Sequence, residues 1–264
     1  MINMYDLDPH VSEVYDGIET QTHDFEWILH LLERYDCKEI LEPYCGTGRI
    51  ALPLAREGYK VTGIDSAEGM LQSFREKIKT EGNYAANNIE IYKSDFLSYD
   101  TERRYDAVLL GGNCLYIYGE PEIQGKVILK AKELVKPGGY IFIDNDAHDG
   151  ELPKSWCNIG IESLGFPSGK CRDGTELKGY TTPTWVDAKG RFWKAKRRLE
   201  VYKDNEIVNE YEWFAKTHAV SSVEVKTWIK ALGLEIVGQW SGTENINPLE
   251  KGSKRATFWV KKPE

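Results

Sequence analysis

Hydrophobic positions along the first part of the chain follow two spacings, one typical of helices and one typical of short buried strands. Phe25, Ile28, Leu31 and Leu32 recur at helical spacing, which predicts an amphipathic helix over roughly residues 20–35. Short apolar runs that end near glycine or aspartate predict five strands, separated by further helices. The predicted strands cover 39–42, 59–65, 89–92, 105–110 and 140–143, and the predicted helices cover 50–57, 67–80 and 121–135.

This alternation of strands and helices predicts the fold class. Parallel strands joined by right-handed helical crossovers form a doubly wound α/β domain. A helix at 222–232 and two more strands at 234–239 and 256–261 extend the pattern near the end of the chain. We therefore expect a mostly parallel, seven-stranded, Rossmann-like sheet.

The alternation stops after residue 144. From about 149 to 218 the pattern becomes a loop followed by strands at 181–186, 191–203 and 206–219, joined by short turn-forming segments. We expect this stretch to be an antiparallel β insertion that caps the substrate. The core would then consist of 1–148 and 219–264.

Composition and charge narrow the class of protein. Hydrophobic residues make up 41% of the chain and charged residues 29%, as in ordinary globular proteins. The net charge of −8 argues against a nucleic-acid partner, because binding to a phosphate backbone depends on clustered lysine and arginine. One basic cluster, Lys194, Lys196, Arg197 and Arg198, is interpreted as the solvated face of a strand, with a local basic patch as the alternative.

Cysteine usage and the distribution of apolar residues predict a cytoplasmic protein. The 5 cysteines include no C-x-x-C pair, which favours reduced thiols over disulfides or a zinc site. The N-terminus lacks a basic region followed by an apolar stretch, and no apolar run approaches the ~20 residues that span a bilayer. We expect no membrane partner, and assembly into a homo-oligomer stays open.

The turn after the first predicted strand is rich in glycine. It reads E-P-Y-C-G-T-G-R over residues 42–49. Gly46 and Gly48 permit a tight turn and let a ligand approach the backbone where no Cβ stands in the way. Ala51 completes a G-x-G-x-x-A pattern, so a nicotinamide dinucleotide is an alternative ligand.

Acidic side chains lie near the ends of the first three predicted strands. Asp65 comes 19 residues after Gly46, where a carboxylate can accept hydrogen bonds from both hydroxyls of a ribose. Glu42 places a negative charge that suits an amino-acid ammonium better than a pyrophosphate. Asp95 could accept a hydrogen bond from an adenine amino group, with Phe96 beside the ring, or could form only an Asx-turn.

In this order the motifs resemble those of the class I S-adenosylmethionine-dependent methyltransferases. The likeness covers about residues 37–144 and consists of E-x-x-C-G-T-G, I-D-x-x-x-x-M-L, S-D-F, Y-D-x-V and L-x-x-P-G-G. It implies S-adenosylmethionine as the cofactor. The residues that it assigns to cofactor binding are Tyr15, Glu42, Gly46, Gly48, Asp65, Ser66, Met70, Asp95, Phe96 and Gly111.

The resemblance also implies a role for several of these side chains. Glu42 would approach the methionine end of the cofactor, and Asp65 would bind the ribose. Met70 would pack on the adenine, although its helical spacing also suits a core residue. The glycine turn would lie under the methionine and ribose, and the segment 111–114 would line the sulfonium and face the substrate.

A narrower resemblance concerns the methyl acceptor. The pair Tyr15-Asp16, the β-rich insertion and the C-terminal segment 221–237 resemble the glycine and sarcosine N-methyltransferases and the amino-sugar N,N-dimethyltransferases. This implies a small-molecule acceptor, preferably an amine. Glycine methyltransferases carry an Arg-Asn-Tyr run after strand five, whereas this chain has D-N-D-A-H-D at 144–149. Capture of a small carboxylate substrate is therefore not predicted.

The segment 144–149 has three interpretations. Asp144, Asp146 and His148 could ligate a metal, but no second cluster is visible and no metal is predicted. The run could instead attract a cationic amine, since it lies where open α/β sheets bind ligands. It could also be only a solvated loop. Because an ammonium must lose a proton before it attacks a methyl group, His148 is the candidate catalytic residue.

Aromatic residues of the insertion fit two roles. Their faces can hold an alkylated ammonium, or they can form the core of a small sheet, which we expect for most of them. The residues in question are Trp156, Trp185, Trp193, Trp213, Tyr180, Tyr202 and Tyr211.

The sequence predicts an enzyme that moves a methyl group from S-adenosylmethionine to a small-molecule acceptor, an amine in preference to a hydroxyl. The alternatives are a small-molecule O-methyltransferase, an RNA base methyltransferase, a nicotinamide-dependent oxidoreductase and a cofactor-binding protein without catalysis. An RNA substrate would require a basic channel with stacking aromatic residues, which the acidic composition does not favour.

Overall fold

The computed structural model describes residues 3–244 and 246–264, and two sheets organise these ranges. The larger sheet consists of β1 (Glu39–Pro43), β2 (Lys60–Asp65), β3 (Ile89–Lys93), β4 (Tyr105–Leu110), β5 (Val135–Asp146), β10 (Glu235–Trp240) and β11 (Arg255–Lys261). The smaller sheet consists of β6 (Ser163–Lys170), β7 (Glu176–Asp187), β8 (Phe192–Lys203) and β9 (Glu206–His218). The helices are α1 (Val11–Ile18), α2 (His23–Arg34), α3 (Ala51–Arg56), α4 (Glu68–Thr80), α5 (Asn83–Ala86), α6 (Pro121–Leu134) and α7 (Ser222–Ala231).

The larger sheet has the strand order β10-β11-β5-β4-β1-β2-β3. β1 to β5 pair in parallel, and β11 runs antiparallel between β5 and β10. The chain builds outward from β1 to β3 and then returns to β4 on the other side of β1. Ligands of open α/β sheets bind at such a reversal, outside the carboxyl ends of the strands. The predicted fold class is confirmed.

Side chains of the central strands alternate between two hydrophobic cores, one on each face of the sheet. In β5, Ile141 and Ile143 pack on the side of α6 and α7, whereas Phe142 packs on the side of α2 and α3. All three side chains are fully buried. This two-sided burial explains why the strands read as continuous apolar runs.

The boundaries of β5 differ from the prediction. The strand begins at Val135 and includes the Pro-Gly-Gly turn, where Gly138 has φ of 75° and donates its N–H to the carbonyl of Lys262. It also extends to Asp146, paired with Arg255 of β11. The interpretation of the segment 144–149 as a solvated loop was therefore wrong for residues 144–146, because these residues pair with β11.

The predicted insertion forms the smaller sheet, which has one more strand than expected. β6 to β9 form an antiparallel meander. β6 was not predicted because Gly165, Pro167 and Gly169 interrupt its apolar pattern, and its pairing with β7 shifts register between the two glycines.

Helix α1 was also not predicted. Its Val11 and Val14 pack against Leu177 and Leu199 of the smaller sheet. The opposite side of the helix contacts α4, where the hydroxyls of Ser12 and Ser73 lie 2.7 Å apart. The helix therefore bridges the insertion and the core, although the sequence grouped it with the core alone.

Within the described ranges, no helix combines the length and the apolar character required to cross a membrane.

Candidate active site

The glycine turn lies between β1 and α3, at the reversal of the sheet. Gly46 and Gly48 adopt left-handed backbone conformations, with φ of 54° and 82°. A Cβ on Gly48 would overlap the ring of Phe74, and a Cβ on Gly46 would lie 3.3 Å from the Cε of Met70. Two buried side chains of α4 thus lie against the positions of these missing Cβ atoms, and the approach of a ligand to the turn stays a prediction.

Asp65 is held at the carboxyl end of β2 by backbone groups. Its Oδ2 accepts a hydrogen bond of 2.9 Å from the N–H of Gly46, and its Oδ1 accepts one of 2.8 Å from the N–H of Ala67. Burial raises the pKa of this carboxyl, and the backbone N–H donors act against that effect. Each oxygen retains a lone pair for another donor. The adjacent Ser66 is exposed, and its hydroxyl accepts from the amide of Asn3.

Glu42 is a buried carboxyl at the end of β1. Its side chain is 8% exposed, and its Oε2 has no hydrogen-bond partner among the described residues. Burial raises its pKa to about 8, although the nearby guanidinium of Arg49 favours the charged form. Arg49 is engaged elsewhere, since it donates to both carboxylate oxygens of Asp24 at 2.8 and 2.5 Å. Glu42 therefore offers an unused acceptor to a cation.

Tyr15 joins the glycine turn to the smaller sheet. Its ring centroid lies 6.3 Å from those of Tyr5 and Phe166, in edge-on arrangements. Burial raises its pKa, and the charge of Arg49 opposes this shift. The N-terminal segment and β6 therefore place an aromatic group beside the acidic end of β1. Tyr5 was not predicted, and no residue pattern near it indicates its position.

Asp95 and Phe96 follow β3. The Oδ1 of Asp95 accepts from the backbone N–H groups of Leu97 and Ser98 at 2.9 and 3.3 Å, which is the Asx-turn considered as an alternative. The Oδ2 accepts from the hydroxyl of Tyr118 at 3.4 Å. Phe96 is 1% exposed and belongs to the core on the α6 side. The structure thus places the Phe96 side chain in the core and leaves Asp95 at the surface.

The loop after β4 is tied to the end of β5. Asn113, at φ of 61°, donates to the Oδ2 of Asp146 at 3.2 Å and accepts from the Asp146 N–H at 2.6 Å. We call these two hydrogen bonds between Asn113 and Asp146 the clamp. Gly111 precedes it in the chain, and a Cβ on Gly111 would meet nothing closer than Phe142 at 4.0 Å. The backbone at the carboxyl end of β4 is therefore open and held in place.

All three carboxylates of the segment 144–149 have partners. Asp144 accepts from the guanidinium of Arg255 and, at 2.9 Å, from the hydroxyl of Thr257. Asp149 accepts from the backbone N–H of Ser222 at the start of α7. Asp146 lies 3.1 Å from Arg255 as well as in the clamp with the β4 loop. In the described part of the chain, no three potential metal-ligating side chains come together.

His148 lies between the β4 loop and the smaller sheet. Its ring centroid is 6.0 Å from that of Tyr116 and 5.5 Å from that of Trp156, which stacks on Trp193 at 4.9 Å. Burial lowers its pKa, the charges of Asp146 and Asp149 oppose this shift, and the charge of Arg191 acts in the same direction as burial. The imidazole is therefore favoured in its neutral form, in which one ring nitrogen can accept a proton.

The interpretation of Arg197 as part of a solvated face was wrong. Trp193, Ala195, Arg197 and Leu199 share one face of β8, and the other three are fully or almost fully buried. The alternation of apolar residues over 193–199 is the signal that could have placed Arg197 on the inner face. Among the described residues of the insertion, Trp185 is instead 44% exposed and does not contribute to this wall.

Comparisons with known proteins agree with this architecture. Residues 40–139 match the family model described as a methyltransferase domain. Glycine N-methyltransferase of Rattus norvegicus is 29% identical over 150 residues, which are 53% of this chain and 51% of that protein. Ubiquinone biosynthesis O-methyltransferase of Rickettsia canadensis (strain McKiel) is 34% identical over 108 residues, which are 40% of this chain and 41% of that protein. These two matches thus span 51% and 41% of the length of the respective curated relatives.

Similarity to solved structures extends over the whole fold. The CcbJ methyltransferase from Streptomyces caelestis superposes with a TM-score of 0.73 at 21% identity and covers 99% of both chains. At this identity the likeness concerns the fold, including the β-rich insertion after β5. The family resemblance predicted over residues 37–144 is confirmed.

Proposed function

We propose that this chain, whose core is a class I S-adenosylmethionine-dependent methyltransferase domain, transfers a methyl group from S-adenosylmethionine to a small-molecule amine. The observation that carries the amine is His148, an imidazole with a lowered pKa and aromatic neighbours.

The crevice at the carboxyl ends of β1, β2 and β4 suits this cofactor. The carboxylate of Asp65 is fixed by two backbone N–H groups and can accept from a ribose diol. Among the described residues, nothing forms a hydrogen bond with Oε2 of Glu42. This oxygen can therefore accept a hydrogen bond from the ammonium of the methionine moiety. Gly111 contributes open backbone near the sulfonium. The other residues proposed to border the cofactor are Tyr15, Gly46, Gly48, Ser66, Met70, Asp95 and Phe96, the last through its backbone alone.

The reaction divides into proton removal and alignment. Bound S-adenosylmethionine supplies a methyl group that its sulfonium already activates. The acceptor ammonium loses its proton to the free ring nitrogen of His148, which leaves a lone pair on the acceptor nitrogen. Alignment of that lone pair with the carbon–sulfur bond can account for roughly 7–11 kcal/mol of the barrier.

An amine fits this base better than a hydroxyl does. Transfer of a proton from an ammonium to a neutral imidazole is uphill by only a few pKa units, whereas an aliphatic alcohol is far less acidic than an ammonium. The faces of Tyr116 and Trp156 beside His148 can hold an alkylated ammonium through cation–π attraction, worth about 0.5–2 kcal/mol per contact.

Transfer from methyl-labelled S-adenosylmethionine to a panel of amines, phenols and carboxylates tests the proposal. We expect labelled amines, and binding of S-adenosylhomocysteine but not NADH by calorimetry. Asp65→Ala should weaken S-adenosylhomocysteine binding by about 10-fold or more, because two ligand hydroxyls lose a charged acceptor. The exposed Asp100→Ala serves as the matched control.

Two results would contradict the proposal. Labelled phenols without labelled amines would assign the chain to O-methylation. Absence of S-adenosylhomocysteine binding, or full affinity in Asp65→Ala, would remove the cofactor assignment itself.

A further inference from the structure

Arg197 is a largely buried cation without an anionic partner among the described residues. The two residues beside it on β8 point the other way and are paired, Lys196 with Glu212 and Arg198 with Glu162. The guanidinium of Arg197 has neither an ion pair nor a hydrogen bond within the described ranges, and burial lowers its pKa. A buried charge without a partner is costly, so its presence calls for a partner from outside the chain.

The surroundings of Arg197 connect it to the proposed reaction site. Its guanidinium carbon lies 5.6 Å from the ring centroid of Trp193, which stacks on Trp156 at 4.9 Å. Trp156 in turn lies 5.5 Å from His148. These contacts form one continuous wall, which we call the tryptophan wall (Trp156 and Trp193), with Arg197 at one end and His148 at the other.

Tyr5 links Arg197 to the end of β2. The charge of Arg197 acts on the hydroxyl of Tyr5, and the same hydroxyl feels the charge of Asp65. Tyr5 also packs against the hydrophobic cluster that contains Leu199, which lies on the same face of β8 as Arg197. The hydroxyl of Tyr5 is therefore within electrostatic range both of the arginine of the insertion and of the carboxylate proposed to bind ribose.

The charges around the crevice limit what Arg197 can bind. The chain carries a net charge of −8, and Glu42 and Asp65 lie at the ends of β1 and β2. A single cation facing these carboxylates can neutralise one anionic group of a ligand. The planar guanidinium offers paired donors that match a carboxylate or a phosphate, and its stacking on Trp193 restricts its orientation.

We propose that Arg197 is a specificity-determining residue that binds an anionic group, a carboxylate or a phosphate ester, of the methyl acceptor. The acceptor is then an amine that also carries a negative charge, with the ammonium end at His148 and the anionic end at Arg197, along the tryptophan wall. This inference rests on the proposed function. It reverses the sequence-based expectation against carboxylate substrates, because the arginine comes from the insertion and not from the segment after β5.

Acceptor pairs that differ only in the anionic group test the inference. The pairs are glycine and glycinamide, 4-aminobutyrate and its amide, and phosphoethanolamine and ethanolamine, each assayed for methyl transfer with the full chain. We expect the anionic member of at least one pair to be preferred, and the pair concerned distinguishes a carboxylate from a phosphate. Arg197→Met should raise the KM for that anionic acceptor by about 10- to 100-fold and leave the KM for the neutral member of the pair unchanged.

Two further variants separate charge from structure. Arg197→Lys keeps the charge and should restore part of the preference. Lys196→Met removes one positive charge from the opposite face of the same strand and should leave the preference intact. Equal use of anionic and neutral acceptors by the wild type, or the same preference in Arg197→Met, would overturn the inference while methyl transfer itself stands.

Cofactor binding gives an independent readout. Arg197→Met should bind S-adenosylhomocysteine with unchanged affinity and should not have a lower Tm, since it removes an unpaired buried charge. A comparable loss of S-adenosylhomocysteine affinity would assign Arg197 to the carboxylate of the cofactor and overturn the inference. Absence of transfer to any acceptor would instead overturn the proposed function, and the inference with it.

Discussion

At the scale of single residues, burial decides the charge state of the groups that matter. Glu42 loses contact with water at the end of β1, and its pKa rises to about 8. His148 is partly buried beside two aromatic rings, and its pKa falls below 6.5. Both shifts favour the neutral form, because a low-dielectric environment penalises charge. A bound cation would therefore stabilise the ionised form of Glu42, and the neutral imidazole of His148 can accept a proton.

The pH dependence of turnover tests the role of His148. The imidazole accepts a proton only when neutral, so kcat/KM with an amine acceptor should fall at low pH, and the lowered pKa places this fall below pH 6.5. His148→Gln should lower kcat by about 10²-fold and remove that acidic limb, with S-adenosylhomocysteine affinity unchanged. Profiles from pH 5 to 9 provide the measurement, with the exposed His30→Gln as control. A His148→Gln enzyme with the wild-type profile would exclude this assignment.

The raised pKa of Glu42 predicts that the stability of the ligand-free protein depends on pH. Its folded-state pKa is raised from 4.5 to about 8, so its contribution to the free energy of unfolding is complete below pH 4.5 and is lost as the pH rises through 8. Glu42→Gln should remove this loss and be more stable than the wild type at pH 8, by up to about 4 kcal/mol. The same variant should bind S-adenosylhomocysteine about 10-fold more weakly, because the ligand ammonium loses its anion. Urea unfolding at pH 5 and 8 and calorimetry measure the two effects, and wild-type affinity would refute the proposed contact.

At the scale of elements, the glycine turn and α4 fit each other closely. Gly48 has a left-handed φ of 82°, and the fully buried ring of Phe74 occupies the position of its missing Cβ. The turn and the helix therefore support each other, and the position of Asp65 depends on both through its bond from the Gly46 N–H. Packing within the protein, more than space for a ligand, requires glycine here.

Gly48→Ala should accordingly be strongly destabilising. We expect a loss of about 2–4 kcal/mol in the free energy of unfolding, from the strained backbone and the displaced Phe74 ring. Gly17→Ala is the matched control, because Gly17 lies in α1 with nothing within 4 Å of its missing Cβ, and it should stabilise by about 0.5–1 kcal/mol. Chemical denaturation measures both, and equal effects of the two substitutions would contradict the packing argument.

At the scale of the whole molecule, α1 links the insertion to the core. Val11 and Val14 face the smaller sheet, whereas Ser12 and Asp16 contact residues of α4. Because Tyr5 and Tyr15 flank the crevice on the same segment, the position of the insertion over the crevice depends on this helix.

Val14→Ala tests that dependence. Loss of two methyl groups against Gly169 and the smaller sheet should cost about 1–2 kcal/mol and loosen the docking of α1. Hydrogen exchange should then accelerate in residues 11–18 and 163–170 and stay unchanged in β1 and β2. The exposed Val223→Ala serves as control. Uniform acceleration over the whole chain would show that α1 is not a local link.

The predictable part of the molecule is the part governed by local patterns. β4 was predicted with its observed bounds, and β1 to within one residue, because buried parallel strands are short apolar runs with clear ends. β6 was missed because its glycines and Pro167 break the alternation, and only pairing with β7 makes it a strand. α1 was missed because its apolar face is short and is buried only against the insertion.

The sequence by itself determined the doubly wound core, the order of the cofactor motifs and the carboxylates at the ends of the strands, since periodicity and turn residues act over a few neighbouring positions. Only the tertiary structure decided which of those charges are satisfied. Asp144 meets Arg255 from 111 residues away, whereas Arg197 meets no carboxylate in the described chain. Such pairing is set by long-range contacts, and it leaves Glu42, His148 and Arg197 among the groups able to act on a ligand.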